Sequence, residues 1–215
     1  MKLDNAYKYY SKLSALEKVL YQKRIYNFLS NLAKQYPHFY EWYFNLFYFN
    51  GILKSDREII FCEKYGIICG VIILKKQLYE KKICTLRVSR YFQHQGIGTN
   101  LLEMGLEWLK CDKPLITVNK RIMPQYKKIF KYFGFVEVDR KWAYYSVFSS
   151  EYAYNGLLDV RPRIIETVEF SLLESFIDKL IKENTRPSAQ DYRKAMKKIE
   201  ELNDLYLEHC NSFAY

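Results

Sequence analysis

The chain has 215 residues, 49% hydrophobic and 18% aromatic, enough for one sizeable domain or a domain with an appendage. No apolar run approaches the roughly 20 residues that span a bilayer, and the opening MKLDNAYKYYSKLS lacks the apolar block of a secretory signal, so a cytoplasmic protein with no membrane partner is expected. The formal net charge of +10 gathers in residues 1–155, where 25 Lys and Arg face 13 Asp and Glu, whereas residues 156–215 carry 9 against 11.

In chain order, SALEKVLYQKRIYNFLSNLAKQYP opens with Ser14 and Glu17 in capping-box spacing. It continues with Leu16, Val19, Leu20, Phe28, Leu29 and Leu32 at roughly helical intervals and closes at Pro37, which predicts a first helix. The aromatic-dense HFYEWYFNLFYFN predicts a second, ended by Asn50-Gly51. From Arg57 to Arg90 the texture turns to β-branched runs, and three strands are expected, with turns at Tyr65-Gly66 and around the Lys and Glu residues of 75–82. After two glycines, Leu101, Leu102, Gly105 and Leu109 share one helical face. PLITVNK reads as a strand, PQYKKIFKYFG as a helix ended by Gly134, and FVEVDRKWAYYSVF as two further strands.

This order predicts an α/β (α+β) fold, a mixed central sheet flanked by helices, over residues 1–150. Residues 151–215 read as an αα-hairpin. Ile165, Val168, Leu172, Phe176 and Leu180 recur at spacings of three and four, and Met196, Ile199, Leu202 and Tyr206 follow the cap Ser188. The hairpin could cap the acceptor side, bind a partner chain or form a homodimer.

The five cysteines form no CxxC pair and read as reduced, buried thiols, and His38, His94 and His209 join no cysteine cluster, so no metal site is expected. Chemistry concentrates instead in RVSRYFQHQGIGTN, residues 87–100, within a stretch (81–133) holding 11 basic residues against 3 acidic ones. Glycines there let the backbone turn tightly with its N–H groups at the positive end of a helix, an arrangement suited to a phosphate. A dinucleotide-binding loop would need GxGxxG, and Leu101 takes the third place; the nucleotide loop GxxxxGK[ST] is absent. A general anion nest is the plainer alternative.

Val88, Gln93, Gly96 and Gly98 fit the pattern V-x-x-x-x-[QR]-x-x-G-x-[GA] at a strand end, with Thr99, Leu101 and Leu102 opening a helix and KYFGF downstream. Residues 15 to 150 thereby resemble the GNAT superfamily of acetyl-CoA-dependent N-acetyltransferases. The resemblance implies acetyl-CoA as co-substrate. Main-chain N–H groups of Gln93, His94, Gln95, Gly96, Ile97, Gly98 and Thr99 would hold its pyrophosphate. Leu86, Arg87 and Val88 would pair with the pantetheine arm, and an N–H near Val88 would polarise the acetyl carbonyl.

The resemblance also exposes departures. The family often places a tyrosine four residues before the glycine of the Gly-Phe pair, against the CoA sulfur; here that cofactor-facing position is Phe130, and the asparagine seven residues earlier is Met123. Tyr126, one turn before Phe130, is the candidate replacement acid; Tyr132 is expected to point elsewhere. Glu80, Asn119 and His94 are candidate bases, each with an ordinary structural reading. Lys120, Arg121, Lys127, Lys128 and Lys131 could contact the phosphates of an anionic macromolecule or simply form a solvated face. The expected function is acetyl transfer to an amine on a protein-, tRNA- or otherwise linked acceptor; the alternative is a catalytically silent CoA- or partner-binding module.

Overall fold

The computed structural model describes residues 6–36, 38–48, 51–142, 144–145 and 150–158. Seven strands form one mixed sheet: β1 (Ala6–Tyr9), β2 (Arg57–Lys64), β3 (Ile67–Lys76), β4 (Lys81–Val88), β5 (Leu115–Asn119), β6 (Glu137–Trp142) and β7 (Ser150–Tyr154). Their spatial order is β1-β2-β3-β4-β5-β7-β6, with β4 and β5 parallel and every other neighbouring pair antiparallel. The helices are α1 (Ala15–Leu29), α2 (Phe39–Phe44), α3 (Ile97–Leu109) and α4 (Met123–Tyr132).

Side chains alternate across a strand, so each strand feeds two layers. Ile60, Ile72, Leu74, Ile83, Ile116 and Val118 meet α3 and α4 on one face. Ile59, Phe61, Val71 and Ile73 meet α1 and α2 on the other. The predicted helix α3 buries the expected stripe of Leu101, Leu102, Gly105 and Leu109. Gly105 lets the helix lie close to the sheet: a Cβ there would stand 2.8 Å from Ile72 Cδ1.

Several expectations shift. The first helix has its capping box at Ser14 and Glu17, but it buries Tyr21, Ile25 and Leu29, while Leu16, Val19 and Leu20 are exposed. Spacing of i, i+4, i+8 fixes the inward stripe, and an aromatic at Tyr21 outcompetes the aliphatics for it. The α-helix ends at Leu29 and continues as a 3-10 turn over Ser30–Lys34. The second helix is six residues long instead of spanning the whole aromatic segment, and His38 enters it with a φ of 55°.

A strand precedes α1. Tyr7 and Tyr9 of β1 pack on the α3 side, while Lys8 bonds Glu63 and Tyr21, each at 2.9 Å. The last strand falls at 150–154, not within 135–148, and it lies inside the sheet between β5 and β6. The sheet therefore extends past residue 150, where the domain was expected to end. Residues 151–154, expected to open the αα-hairpin, are strand instead, and residues 159–215 of that predicted hairpin lie outside the described residues.

Candidate active site

The site begins with a fault in the sheet. β4 and β5 pair at only two positions, Lys82 with Leu115 and Ile83 with Ile116. Cys84 is the extra residue of a bulge, because Ile83 pairs with Leu74 and Thr85 already pairs with Ile73. A bulge increases local twist, and from Thr85 onward β4 keeps β3 as a partner but has no ladder to β5. The opening widens into a cleft of about 2380 Å³.

At the mouth stands the N-terminus of α3. Gly96 caps it in the left-handed region (φ 79°) with no side-chain hydrogen bond, and the first helical bond is Asn100 N–H to the Gly96 carbonyl at 3.0 Å. The N–H groups of Ile97, Gly98 and Thr99 therefore have no partner within the helix. A Cβ on Gly96 would meet nothing within 4 Å, and Gly96, Gly98 and Thr99 line the cleft, so this turn faces open space. Arg87, Arg90, His94 and Lys128 line the same end of the cleft. Three convergent N–H groups, a helix dipole and nearby cations make an anion site.

Leu86, Arg87, Val88, Gln93, His94, Gly96, Gly98 and Thr99 all line the cleft. The side chains of Gln95 and Ile97 turn away. Gln95 accepts a hydrogen bond from Lys64 at 3.3 Å, and Ile97 is buried in the α3 core. Only their backbone remains available at the loop.

Phe130 departs from its expected place against a cofactor. It is 2% exposed and packs on Tyr126, Phe135 and Tyr154, with ring centroids 5.5, 5.4 and 4.7 Å away, so it belongs to the core. Tyr126, one helical turn earlier, does line the cleft, and its hydroxyl donates to the Leu86 carbonyl. Burial pushes its phenol up to about 12, against a smaller opposing pull from the Arg87 charge, so it keeps its proton at neutral pH. Tyr132, expected to point elsewhere, is exposed and reaches the cleft rim.

Among the candidate bases, Glu80 is engaged with Lys75. Asn119 is buried and its Oδ1 accepts from the Arg121 N–H at 3.0 Å. His94, exposed at φ 61°, sits in the loop. Of the five cations singled out near the acceptor side, Lys128 lines the cleft.

An acid that sequence reasoning missed lies deeper. Glu151 pairs with Asn119 across β5 and β7 and is only 2% exposed. Tyr36, on the cleft wall, has its hydroxyl 3.5 Å from Glu151 Oε1 and its ring against Tyr145. Burial raises the Glu151 carboxyl to about 8, although Thr117, Tyr36, Lys82 and Asn119 each favour its charged form. A carboxyl that titrates near neutrality behind a cleft-lining phenol can exchange protons with whatever occupies the cleft.

A mixed α/β sheet thus parts beside a helix terminus that offers free N–H donors. Residues 39–143 match the sequence model of the family described as Acetyltransferase (GNAT) domain, which places this segment of the chain in the GNAT superfamily. Among solved structures, the fold is similar to that of a Desulfovibrio desulfuricans protein described as an acetyltransferase of the GNAT family. That likeness has 12% identity, covers 70% of this chain and 97% of that one, and gives a TM-score of 0.53. It is also similar to the ribosomal-protein-S18-alanine N-acetyltransferase of Escherichia coli, at 14% identity over 74% and 98% of the two chains, with a TM-score of 0.52. Among curated proteins, none matches the sequence. No helix among the described residues is long and apolar enough to cross a membrane.

Proposed function

We propose that the protein moves an acetyl group from acetyl-CoA to an amine by direct attack within the cleft. The observation that carries this reading is the parting of β4 from β5 directly beside the uncapped N-terminus of α3. A pyrophosphate suits the Ile97–Thr99 donors, and a pantetheine arm suits the edge of Leu86–Val88 that β5 leaves unpaired. The thioester would then lie along β4, where an N–H near Val88 can stabilise the oxyanion that forms on attack.

Two proton transfers complete the reaction. The attacking amine loses a proton to Tyr36 as Tyr36 passes its own to Glu151, which supplies the base. The carbon–sulfur bond breaks, and the thiolate takes a proton from Tyr126, whose hydroxyl leaves Leu86 as the pantetheine claims that strand edge. Solvent restores both groups. Phe130 takes no part, so its lack of a hydroxyl is no obstacle to turnover.

The test is acetyl-CoA titration by calorimetry, followed by thiol release with amine, peptide and charged-tRNA acceptors. Saturable binding with turnover on one class is expected. Replacing Gly96 by Phe projects a ring into the open space before the donors and strains the left-handed turn, so acetyl-CoA affinity should fall at least about 100-fold, nearly 3 kcal/mol. Unchanged affinity in Gly96→Phe would remove the pyrophosphate from this loop. Tight binding without turnover on any acceptor would make the protein a binding module.

A further inference from the structure

The far end of the cleft, away from the anion loop, carries charges that acetyl transfer alone does not use. Arg57 opens β2, and the register sets it opposite Lys75 of β3, which in turn faces Lys82 of β4. All three share the α2 face of the sheet and line the cleft. Lys75 is ion-paired with Glu80. Asp56 accepts from Gln77 Nε2 at 2.7 Å and stands 3.9 Å from Arg57 Nε, beyond hydrogen-bonding range.

Arg57 Nε and Nη1 are buried and have no hydrogen-bond partner, and the side chain is only 18% exposed. Lys82 makes no hydrogen bond or ion pair among the described residues. Buried, unpartnered guanidinium N–H groups are costly to keep, and an anionic acceptor such as a carboxylate is the group that offsets that cost. With the buried Glu151, which Lys82 also faces, protonated below about pH 8, three cations against Asp56 and Glu80 leave one positive charge, which balances a carboxylate and falls short of a phosphate dianion. Glu41, another acid on the cleft wall, is 61% exposed and stands 4.0 Å from His38 at the rim.

Distance then sets the size of the acceptor. The reacting thioester belongs beside Leu86–Val88, four to six residues along β4 from Lys82, or roughly 13–20 Å at about 3.3 Å per residue. Arg57 lies two strands across the sheet from β4, a sideways offset of about 10 Å at roughly 4.8 Å per strand, which its long side chain can bridge. Neither a free amino acid nor a short diamine reaches both points, whereas an extended peptide covers the gap in roughly three to five residues.

We propose that Arg57, with Lys82 beside it, is a carboxylate subsite, and that the acceptor is an acidic peptide whose reactive amine lies roughly three to five residues from an Asp or Glu. This rests on the acetyl-transfer reading for the position of the thioester. The Phe39 and Trp42 rings on the adjoining wall offer apolar surface to the intervening residues.

The experiment is a positional scan. Synthetic heptapeptides with a free N-terminus and a neutral Ser/Gly background carry one Glu, moved stepwise from the second residue to the last. Controls carry Gln, or phosphoserine, at the best position. Thiol release from acetyl-CoA gives kcat/KM for each peptide, and calorimetry on the same sample gives acetyl-CoA binding. The acid should raise kcat/KM about tenfold or more, peaking where it falls three to five residues beyond the amine. Arg57→Gln should cut the acidic-to-neutral ratio by a similar factor.

A flat profile, no turnover on any peptide, a preference for phosphoserine over Glu, or a profile unchanged in Arg57→Gln would each overturn the proposal. The wild-type scan decides most of this without any variant. If acetyl-CoA binds and the profile is flat, only the acceptor assignment falls; if acetyl-CoA does not bind, the acetyl-transfer reading falls with it.

Discussion

One face of the sheet carries two regions of opposite character. Over β2 and β3, Ile59, Phe61, Val71 and Ile73 are fully buried beneath α1 and α2. Over β4, β5 and β7, the positions pointing the same way include Lys82, Thr85, Thr117, Asn119 and Glu151. No helix covers this second region among the described residues. The backbone is continuous β-sheet throughout, so the difference is made by side chains and by one bulge. Closed apolar surface supplies stability, whereas the second region keeps polar groups, Asn119 and Glu151 among them buried, where chemistry can use them.

Substitutions should divide along the same line. In the closed region, Phe61→Ala empties a fully buried ring position and should cost about 3–5 kcal/mol of unfolding free energy. Its effect should be read in chemical denaturation, with acetyl-CoA affinity at saturating folded protein unchanged. In the open region, Glu151→Gln should lower kcat about 10- to 100-fold and flatten the rise of rate with pH that ionisation near 8 would otherwise produce.

The same substitution has a stability readout of known sign. A carboxyl raised in the folded state binds a proton that the unfolded chain has already released between about pH 4.5 and about pH 8. Wild-type stability should therefore decrease as pH rises through that window, at up to about 1.4 kcal/mol per pH unit. Glu151→Gln should remove that slope. Parallel slopes in both proteins would mean that Glu151 is not the buried titrating group.

At the border between the regions, Phe130→Tyr restores the hydroxyl common at this position in the family but forces it into a packed core. A loss of about 1–3 kcal/mol with no gain in kcat is expected; a faster enzyme would show that the position reaches the sulfur after all. The smallest effect belongs to the exposed capping box. Ser14→Ala should remove about 1 kcal/mol, seen as a small shift in denaturation midpoint with normal kinetics.

What the sequence revealed follows the same division. The strand, glycine turn and helix around Gly96 were legible because local rules govern them: helix periodicity, glycine conformation and a fixed spacing from Val88. The inward stripe of α1 was misread because Leu16, Val19 and Leu20 are more apolar than Tyr21 but lie on the wrong side. β1 is four residues long and too short to carry a periodic signal.

Glu151 and Arg57 were invisible for a different reason. A lone charge in a strand ordinarily faces water, and only pairing between strands distant in sequence reveals a buried one. Asn119 faces Glu151 across 32 positions of chain, and Arg57 meets Lys82 only through Lys75. Tyr36 reaches Glu151 from 115 residues away. No local pattern encodes such meetings.

The two residue pairs that join β4 to β5 have a consequence for how the protein ages and survives in a cell. They make the boundary between the halves the weakest line in the ladder, and any ligand that lies along Leu86–Val88 bridges it. Ligand binding to the folded form alone adds RT ln(1 + [L]/Kd), about 2.7 kcal/mol at a hundredfold excess over Kd. The coenzyme would then act as a pharmacological chaperone, and the lifetime of the protein against proteolysis would track the size of the coenzyme pool.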